Sequence, residues 1–375
     1  MISRNYAKYT PEETDAKYDQ ALRHPPVGCQ YIHDNFPEYA CDGCPMTAPY
    51  HKAKRSMMDL VGSSDEMLEK SDYHESIRRM HRRRSGEELP GTTWGVGGLD
   101  KYTRLRPSEM TVLGALPSIG KTALMVDAAV SLAERGIPVF LFSAETGRSG
   151  LEDRFLSRIS GVDSKAIRGE RMASGAPRPL TDQETAAVVE AAGTLAQFPL
   201  YVNYTAAKPE RILELVEEIV LREGLDYAAP MVVLFDYLQF ASPSDSNANQ
   251  SEYVTVTKAS SEFKYLAKIL RHSVAVLSQL RRDAEGDDKP DITWFKNSGR
   301  IEADADVAMI MTGERVPGAI ALRFIDIVKQ REGIVGVRTE LKFHQAISQF
   351  EERTQLGSST TEGPELFPGE DNGFE

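Results

Sequence analysis

The nine residues GALPSIGKT, positions 114–122, constrain this chain more than any other stretch. A turn of this kind cradles phosphate when backbone N–H groups face inward, a lysine meets the charge and a hydroxyl stands ready for a divalent cation. Such a turn works only between a strand and a helix. Both are present in the sequence: MTVLGAL before it is short and apolar, and TALMVDAAVSLAERG after it reads as a helix stopped by Gly136. The usual pattern G-x-x-x-x-G-K-[ST] would put a glycine at 115. Here Ala115 stands there, with Gly114 just before it. A small residue suffices at that place if its backbone avoids left-handed dihedrals. Pro117, Ser118, Gly120, Lys121, Thr122 and Ala123 are the positions expected to wrap a nucleotide's phosphates, with Pro117 stiffening the loop.

The flanking sequence repeats the strand-then-helix rhythm. PVFLFSAE, MVVLFDYLQF, SVAVLSQL, VAMIMTG and LRFIDIVKQR read as strands; ERILELVEEIVLREG and SEYVTVTKASSEFKYLAKILRH read as helices. Short, continuous apolar strands alternating with helices predict an α/β fold, its mainly parallel central sheet flanked by helices.

Ligand contacts in such sheets gather at the carboxyl ends of the strands. Asp236 ends MVVLF, where an acid can hold Mg²⁺ or its water. Glu145 ends VFLFSAE and can polarise a water as general base. Gln279 ends VLSQ, where an amide can sense a γ-phosphate. An acid at a strand end also serves to cap a neighbouring helix, so each of these has a plainer reading.

Taken in order, WGVGGLDKYT, GALPSIGKTAL, FLFSAE, VVLFDYLQF, VLSQLRR, NSGRIEADADVAMIM and IVKQREGIVG resemble the ATPase domain of replicative ring helicases of the DnaB type, within the RecA-like P-loop motors. The likeness runs over roughly residues 91–350, and Ala-x-x-x-x-Gly-Lys-Thr is itself that family's form of the loop. The resemblance implies a homo-hexameric ring that hydrolyses ATP with Mg²⁺ and moves along single-stranded DNA in DNA replication. It implies Lys121 on the β- and γ-phosphates, Thr122 on Mg²⁺, Asp236 as a second Mg²⁺ contact through water, Glu145 as catalytic base and Gln279 as γ-phosphate sensor. Lys329 and Arg331 match the pair that reaches into a neighbouring subunit's ATP, Arg331 as the finger. Arg300 and Glu302 read as structural. DNA contacts would come from ASPSDSNANQ after Asp236 and RRDAEGDDKP after Gln279, with Arg281, Arg282 and Lys289 meeting phosphates. Both loops are less basic than a DNA-binding loop usually is, though backbone N–H groups also bind phosphate.

Four parts are expected: an N-terminal region (1–54), a linker helix (55–90), the ATPase domain (91–350) and an acidic, Gly/Ser/Pro-rich disordered tail (351–375). The family's helical collar is not recognisable, which suggests a phage or mobile-element form with a reduced N-terminal region. In its place Cys41 and Cys44 form a C-x-x-C with Cys29 upstream. Three thiolates with one histidine, His51 or His33, would complete a tetrahedral Zn²⁺ knuckle; an iron–sulfur cluster or plain reduced thiols are the alternatives. Such a knuckle could touch DNA or a primase. The linker helix ends in the basic run SIRRMHRRR, suited to a neighbouring subunit, to DNA or simply to solvent.

The net charge of −12 argues against coating nucleic acid with the whole surface, and leaves room for basic groups on one inner face. The polar N-terminus lacks a signal peptide's apolar core, and no apolar run is long enough for a bilayer, so a cytoplasmic protein is expected. Primase, polymerase and helicase loader are the expected partner classes. Two rivals remain. One is a RecA-like recombinase or repair ATPase. The other is an ATP-binding loader or adaptor that does not move along DNA, which would need neither base nor finger.

Overall fold

The structure, a computed structural model, describes residues 73–85, 91–170, 178–205, 208–240, 252–281, 289–296, 298–313 and 320–353. The three cysteines, His33, His51, Arg282, the stretch 241–251 and the acidic tail lie outside the described residues. The readings made for them are therefore not addressed by it.

One helix, α1 (Tyr73–Ser85), precedes the sheet domain and carries Arg82, Arg83 and Arg84 in its last turn. Strand β1 (Met110–Ala115) is buried along its whole length and runs straight into the phosphate-type turn. Helix α2 (Lys121–Glu134) leaves that turn. It is apolar nearly all round, and almost every residue of it is buried, as such a helix requires. Then follow β2 (Val139–Ser143), α3 (Arg148–Ser160), the short α4 (Ser164–Ile167), α5 (Asp182–Leu195), β3 (Leu200–Asn203) and α6 (Pro209–Glu223). After them come β4 (Val232–Asp236), α7 (Glu252–Leu270), β5 (Ser273–Gln279), α8 (Ser298–Asp304), β6 (Val307–Thr312), β7 (Ile320–Gln330), β8 (Val337–His344) and β9 (Gln349–Glu352). Residues 67–213 and 230–375 form one unit; Glu214–Ala229 belongs to another, in which Val216 and Val220 are buried.

The nine strands lie in the order β3-β2-β4-β5-β1-β6-β7-β8-β9. The first six are parallel, with β1 between β5 and β6. Strands β7, β8 and β9 are antiparallel, joined by short turns without crossover helices. The stretch LRFIDIVKQR is thus a strand, as read, but it departs from the uniformly parallel pattern expected of it. Its burial says why. The parallel strands are buried residue after residue, whereas β7 begins with Ile320 exposed, Ala321 buried, Leu322 exposed and Arg323 buried. That alternation belongs to an antiparallel strand with one open face.

Both faces of the parallel half are covered. Leu113, Leu141, Leu234 and Leu277 pack with α2 in one continuous core. On the other face Phe235 meets Phe263 of α7, ring centroids 4.6 Å apart. Burying each such side chain is worth roughly 1.5–3 kcal/mol, which fixes the strand ends firmly enough to carry a site. Helix α5 starts at a full capping box, Thr181 and Glu184 bonding each other's backbone N–H. Strand β9 runs to Glu352, two residues past the boundary read from composition.

Candidate phosphate-binding site

The turn after β1 has the backbone of a phosphate cradle. Ser118 (φ 65°) and Gly120 (φ 114°) are left-handed, and at 114° only glycine is unstrained. Ala115 is not in that region. It stays in the strand, paired with Gln279 on one side and Met311 on the other, so the missing glycine costs the loop nothing. The neighbouring glycine is the required one. A Cβ on Gly114 would lie 2.6 Å from Leu280 Cδ2 and 2.7 Å from Phe295 Cε1.

Four side chains converge at this carboxyl edge. Thr122 Oγ1 donates to Asp236 Oδ2 at 2.9 Å. The ammonium of Lys121 lies 3.3 Å from Glu145 Oε2 and 3.5 Å from Asp236 Oδ1, and 4.1 Å above the Tyr237 ring. Lys121 and Asp236 are buried, while the Glu145 side chain is 44% exposed and faces the open side. Burial raises the Asp236 pKa, opposed by Lys121 and by the Thr122 hydroxyl. Asp236 Oδ1 is sealed from solvent with no hydrogen-bond partner, the condition of an oxygen that accepts from a metal-bound water. This donor set, a hydroxyl and a buried carboxylate oxygen, suits Mg²⁺, which prefers oxygen ligands and keeps several waters.

Gln279 closes the edge between the other two strand ends, because β5 lies between β4 and β1. Its backbone N–H donates to Gln239 Oε1 at 3.2 Å, and Gln239 Nε2 donates to Ser278 Oγ at 3.1 Å. Gln239 therefore ties the acid-bearing strand to the amide-bearing one. Sequence reading missed this role, although DYLQF contains the residue. It also missed Tyr237 beneath Lys121 and Arg154 on α3. Burial and the nearby Arg168 lower the Arg154 pKa, while Asp236 and Glu145 raise it.

Lys329 and Arg331 are elsewhere. Arg331 N–H donates to the Asp306 carbonyl at 2.9 Å, and Asp306 N–H donates to that of Met110 at 2.9 Å. The pair therefore sits where β1 begins, a strand length, about 17 Å, from the loop where β1 ends. Both cations are held by the end of α8: Lys329 Nζ donates to the Glu302 carbonyl, and Arg331 donates to the Ala303 carbonyl at 2.5 Å. Arg331 Nε also lies 3.4 Å from Asp306 Oδ1. Arg300 is structural as read, bonded to Ser261 at 2.8 Å and Asp304 at 2.9 Å. Arg281 is half-buried with its Nε shut off from solvent, and it opens the loop that the Leu280–Phe295 bridge closes; Lys289 is exposed. Among the described residues no group of three or more His, Cys, Asp or Glu is placed to hold a metal by itself. Among them also, no helix is long and apolar enough to cross a membrane.

A parallel sheet with this loop at the end of a central strand, and Lys, Thr, Asp and Glu gathered at neighbouring strand ends, defines a RecA-like P-loop ATPase fold. Within that class the chain belongs to the DnaB-like helicase C-terminal domain family, whose model matches residues 91–352. It is 30% identical over 272 residues to the replicative DNA helicase DnaB of Treponema pallidum, covering 72% of this chain and 58% of that protein. The Pasteurella multocida protein of the same name is 28% identical over 295 residues, covering 76% and 58%. The chain thus spans little more than half the length of these curated relatives. Among solved structures it resembles an ATPase domain determined by itself, with a TM-score of 0.66 and 21% identity over 76% of this chain and all of that one. It also resembles a DnaB-like replicative helicase studied with primase, with a TM-score of 0.63 and 20% identity over 91% and 77%. These two likenesses concern the fold.

Proposed function

We propose that the chain is the motor of a replicative DNA helicase: a hexameric ring that hydrolyses ATP and translocates on single-stranded DNA. The observation that carries this is the division of one catalytic set between two edges of the sheet. Lys121, Thr122, Glu145, Asp236 and Gln279 gather at the carboxyl edge, while Arg331 is about a strand length away at the other. A finger so placed serves a neighbour's nucleotide and not its own, which is what a ring requires.

Lys121 holds the β- and γ-phosphates. In this structure it is shared between Glu145 and Asp236. An arriving polyphosphate competes with Glu145 for the ammonium. The released carboxylate then orients a water and takes its proton as that water attacks the γ-phosphorus. Thr122 and, through water, Asp236 would hold Mg²⁺, which neutralises phosphate charge when bound. Gln279 senses the γ-phosphate and passes its presence to the loop beyond Leu280. That loop, flanked by Arg281 and Lys289 and containing Arg282, contacts DNA through backbone and side chains. Arg331, seconded by Lys329, steadies charge on the phosphoryl group in the adjacent subunit. The cysteine-bearing region holds Zn²⁺ through Cys29, Cys41, Cys44 and His51, and it or the ring face meets a primase, polymerase or loader.

The test is the ATPase rate with and without single-stranded DNA, alongside mass by light scattering and unwinding of a forked duplex. Turnover stimulated by DNA, sixfold assembly with Mg-ATP, and loss of turnover in Lys121→Ala and Arg331→Ala would support the reading. Binding of ATP with no DNA-stimulated turnover would leave an adaptor; turnover and assembly without unwinding would leave a recombinase.

A further inference from the structure

The largest fully buried side chain among the described residues is an arginine, Arg323, only 2% exposed in the middle of β7. Its Nε donates to the carbonyl of Ile119 at 2.5 Å, and one terminal nitrogen donates to its neighbour's carbonyl, Leu322, at 2.7 Å. The guanidinium lies 5.3 Å from the Phe343 ring centroid, and Phe343 stacks on Phe350 at 4.3 Å. Phe343 in turn crowds Gly120, where a Cβ would lie 3.0 Å from its ring. The antiparallel strands thus press a cation and an aromatic wall against the back of the phosphate loop.

The bond to Ile119 has a directional consequence. A trans peptide is planar, and its C=O and N–H point opposite ways. Ile119 already uses its own N–H on the Leu116 carbonyl, and the Gly120 carbonyl is taken by Leu124 N–H. What remains is the peptide joining Ile119 to Gly120. Fixing its oxygen on Arg323, behind the loop, turns the Gly120 N–H forward into the cradle. A full positive charge on the carbonyl end also polarises that peptide in a low-dielectric setting, strengthening the donor.

We propose that Arg323 is a positioning residue for nucleotide binding: from behind the loop it sets and polarises the Gly120 N–H that receives a polyphosphate. The inference rests on the nucleotide-site reading above. The ligand feature addressed is the phosphate chain, not the base or sugar. Arg323 touches neither.

The test uses the full chain with Mg²⁺ and two probes, ADP and inorganic pyrophosphate, with binding read by calorimetry well below the melting temperature. The variants are Arg323→Met, which keeps the length and removes every donor, and Arg323→Lys, which keeps one cationic donor. Phe350→Leu is the packing control. We expect Arg323→Met to weaken both probes about tenfold or more, the scale of a charge-assisted hydrogen bond. Arg323→Lys should recover part of that loss. Phe350→Leu should lower the melting temperature while leaving pyrophosphate affinity within twofold. The proposal is overturned if folded Arg323→Met binds pyrophosphate within twofold of the unchanged protein. It is also overturned if Phe350→Leu loses as much affinity, or if neither Arg323 variant folds, since the arginine is then a structural strut. Should the unchanged protein bind neither probe, or Lys121→Ala bind them equally well, the nucleotide-site reading itself has failed.

Discussion

Exchanging the two residues that begin the loop would test why this chain departs from the common phosphate-loop pattern. Gly114→Ala adds a Cβ that must sit 2.6 Å from Leu280 Cδ2 and 2.7 Å from Phe295 Cε1, where about 3.4–4 Å is ordinary contact. Leu280 and Phe295 are both buried and form the bridge that closes the loop after β5, so neither can swing aside freely. Overpacking of this kind costs about 1–3 kcal/mol. In a domain of this size that is a fall of roughly 2–12 °C in melting temperature, taking about 2–4 °C per kcal/mol. The displaced atoms adjoin Gln279, so turnover should fall further than nucleotide affinity. Ala115→Gly does the opposite of what the pattern suggests. It removes a fully buried methyl and loosens a central strand, costing about 1 kcal/mol with no gain in affinity. Thermal melts followed by circular dichroism, with ADP titrations on the same samples, decide both. Gly114→Ala melting within a degree of the parent, or Ala115→Gly binding ADP more tightly, would refute the steric reasoning.

Other outcomes follow from the same geometry. Lys121→Ala and Arg331→Ala proteins, each inactive alone, should regain turnover when mixed, because about a quarter of randomly formed interfaces would pair an intact loop with an intact finger; failure to complement in demonstrably mixed assemblies would place the finger in the same subunit. Asp127, 1% exposed, accepts from Arg158 at 2.5 Å and from Phe350 N–H at 2.6 Å, so Asp127→Ala should destabilise by about 3–5 kcal/mol in denaturant titrations, and a loss under 1 kcal/mol would contradict it. Burial lowers the His272 pKa from its usual 6.5 to about 4, so the unfolded chain binds this proton more readily. Stability from this group is present above pH 6.5 and is lost as pH falls towards 4, by up to about 3 kcal/mol. His272→Phe should therefore flatten that part of the stability–pH curve, measured as its difference from the parent.

The parts of this protein written in the sequence are those whose signal is local. Loop, strand and helix around Lys121 are contiguous, and apolar runs ending in Glu, Asp and Gln mark strand ends by themselves. Family resemblance then gave those ends their roles, and the sheet brings Lys121, Thr122, Glu145 and Asp236 together. Spacing could not reveal what depends on strand order. Gln279 adjoins Ala115 only because β5 is inserted beside β1. Arg331 lies far from its own loop only because β7 reverses direction, and a strand of the same sequence in the parallel sense would have put it at the other edge. Gly114 reads as a displaced pattern residue until Leu280 and Phe295 are seen against it. Arg323 reads as one more charge on a half-open strand, yet it bonds a carbonyl 204 residues away. Local sequence sets backbone conformation and the pattern of burial. Which distant atoms then share a hydrogen bond or a van der Waals boundary is decided by register and packing, since these are fixed by the summed burial of the whole sheet and not by any one segment.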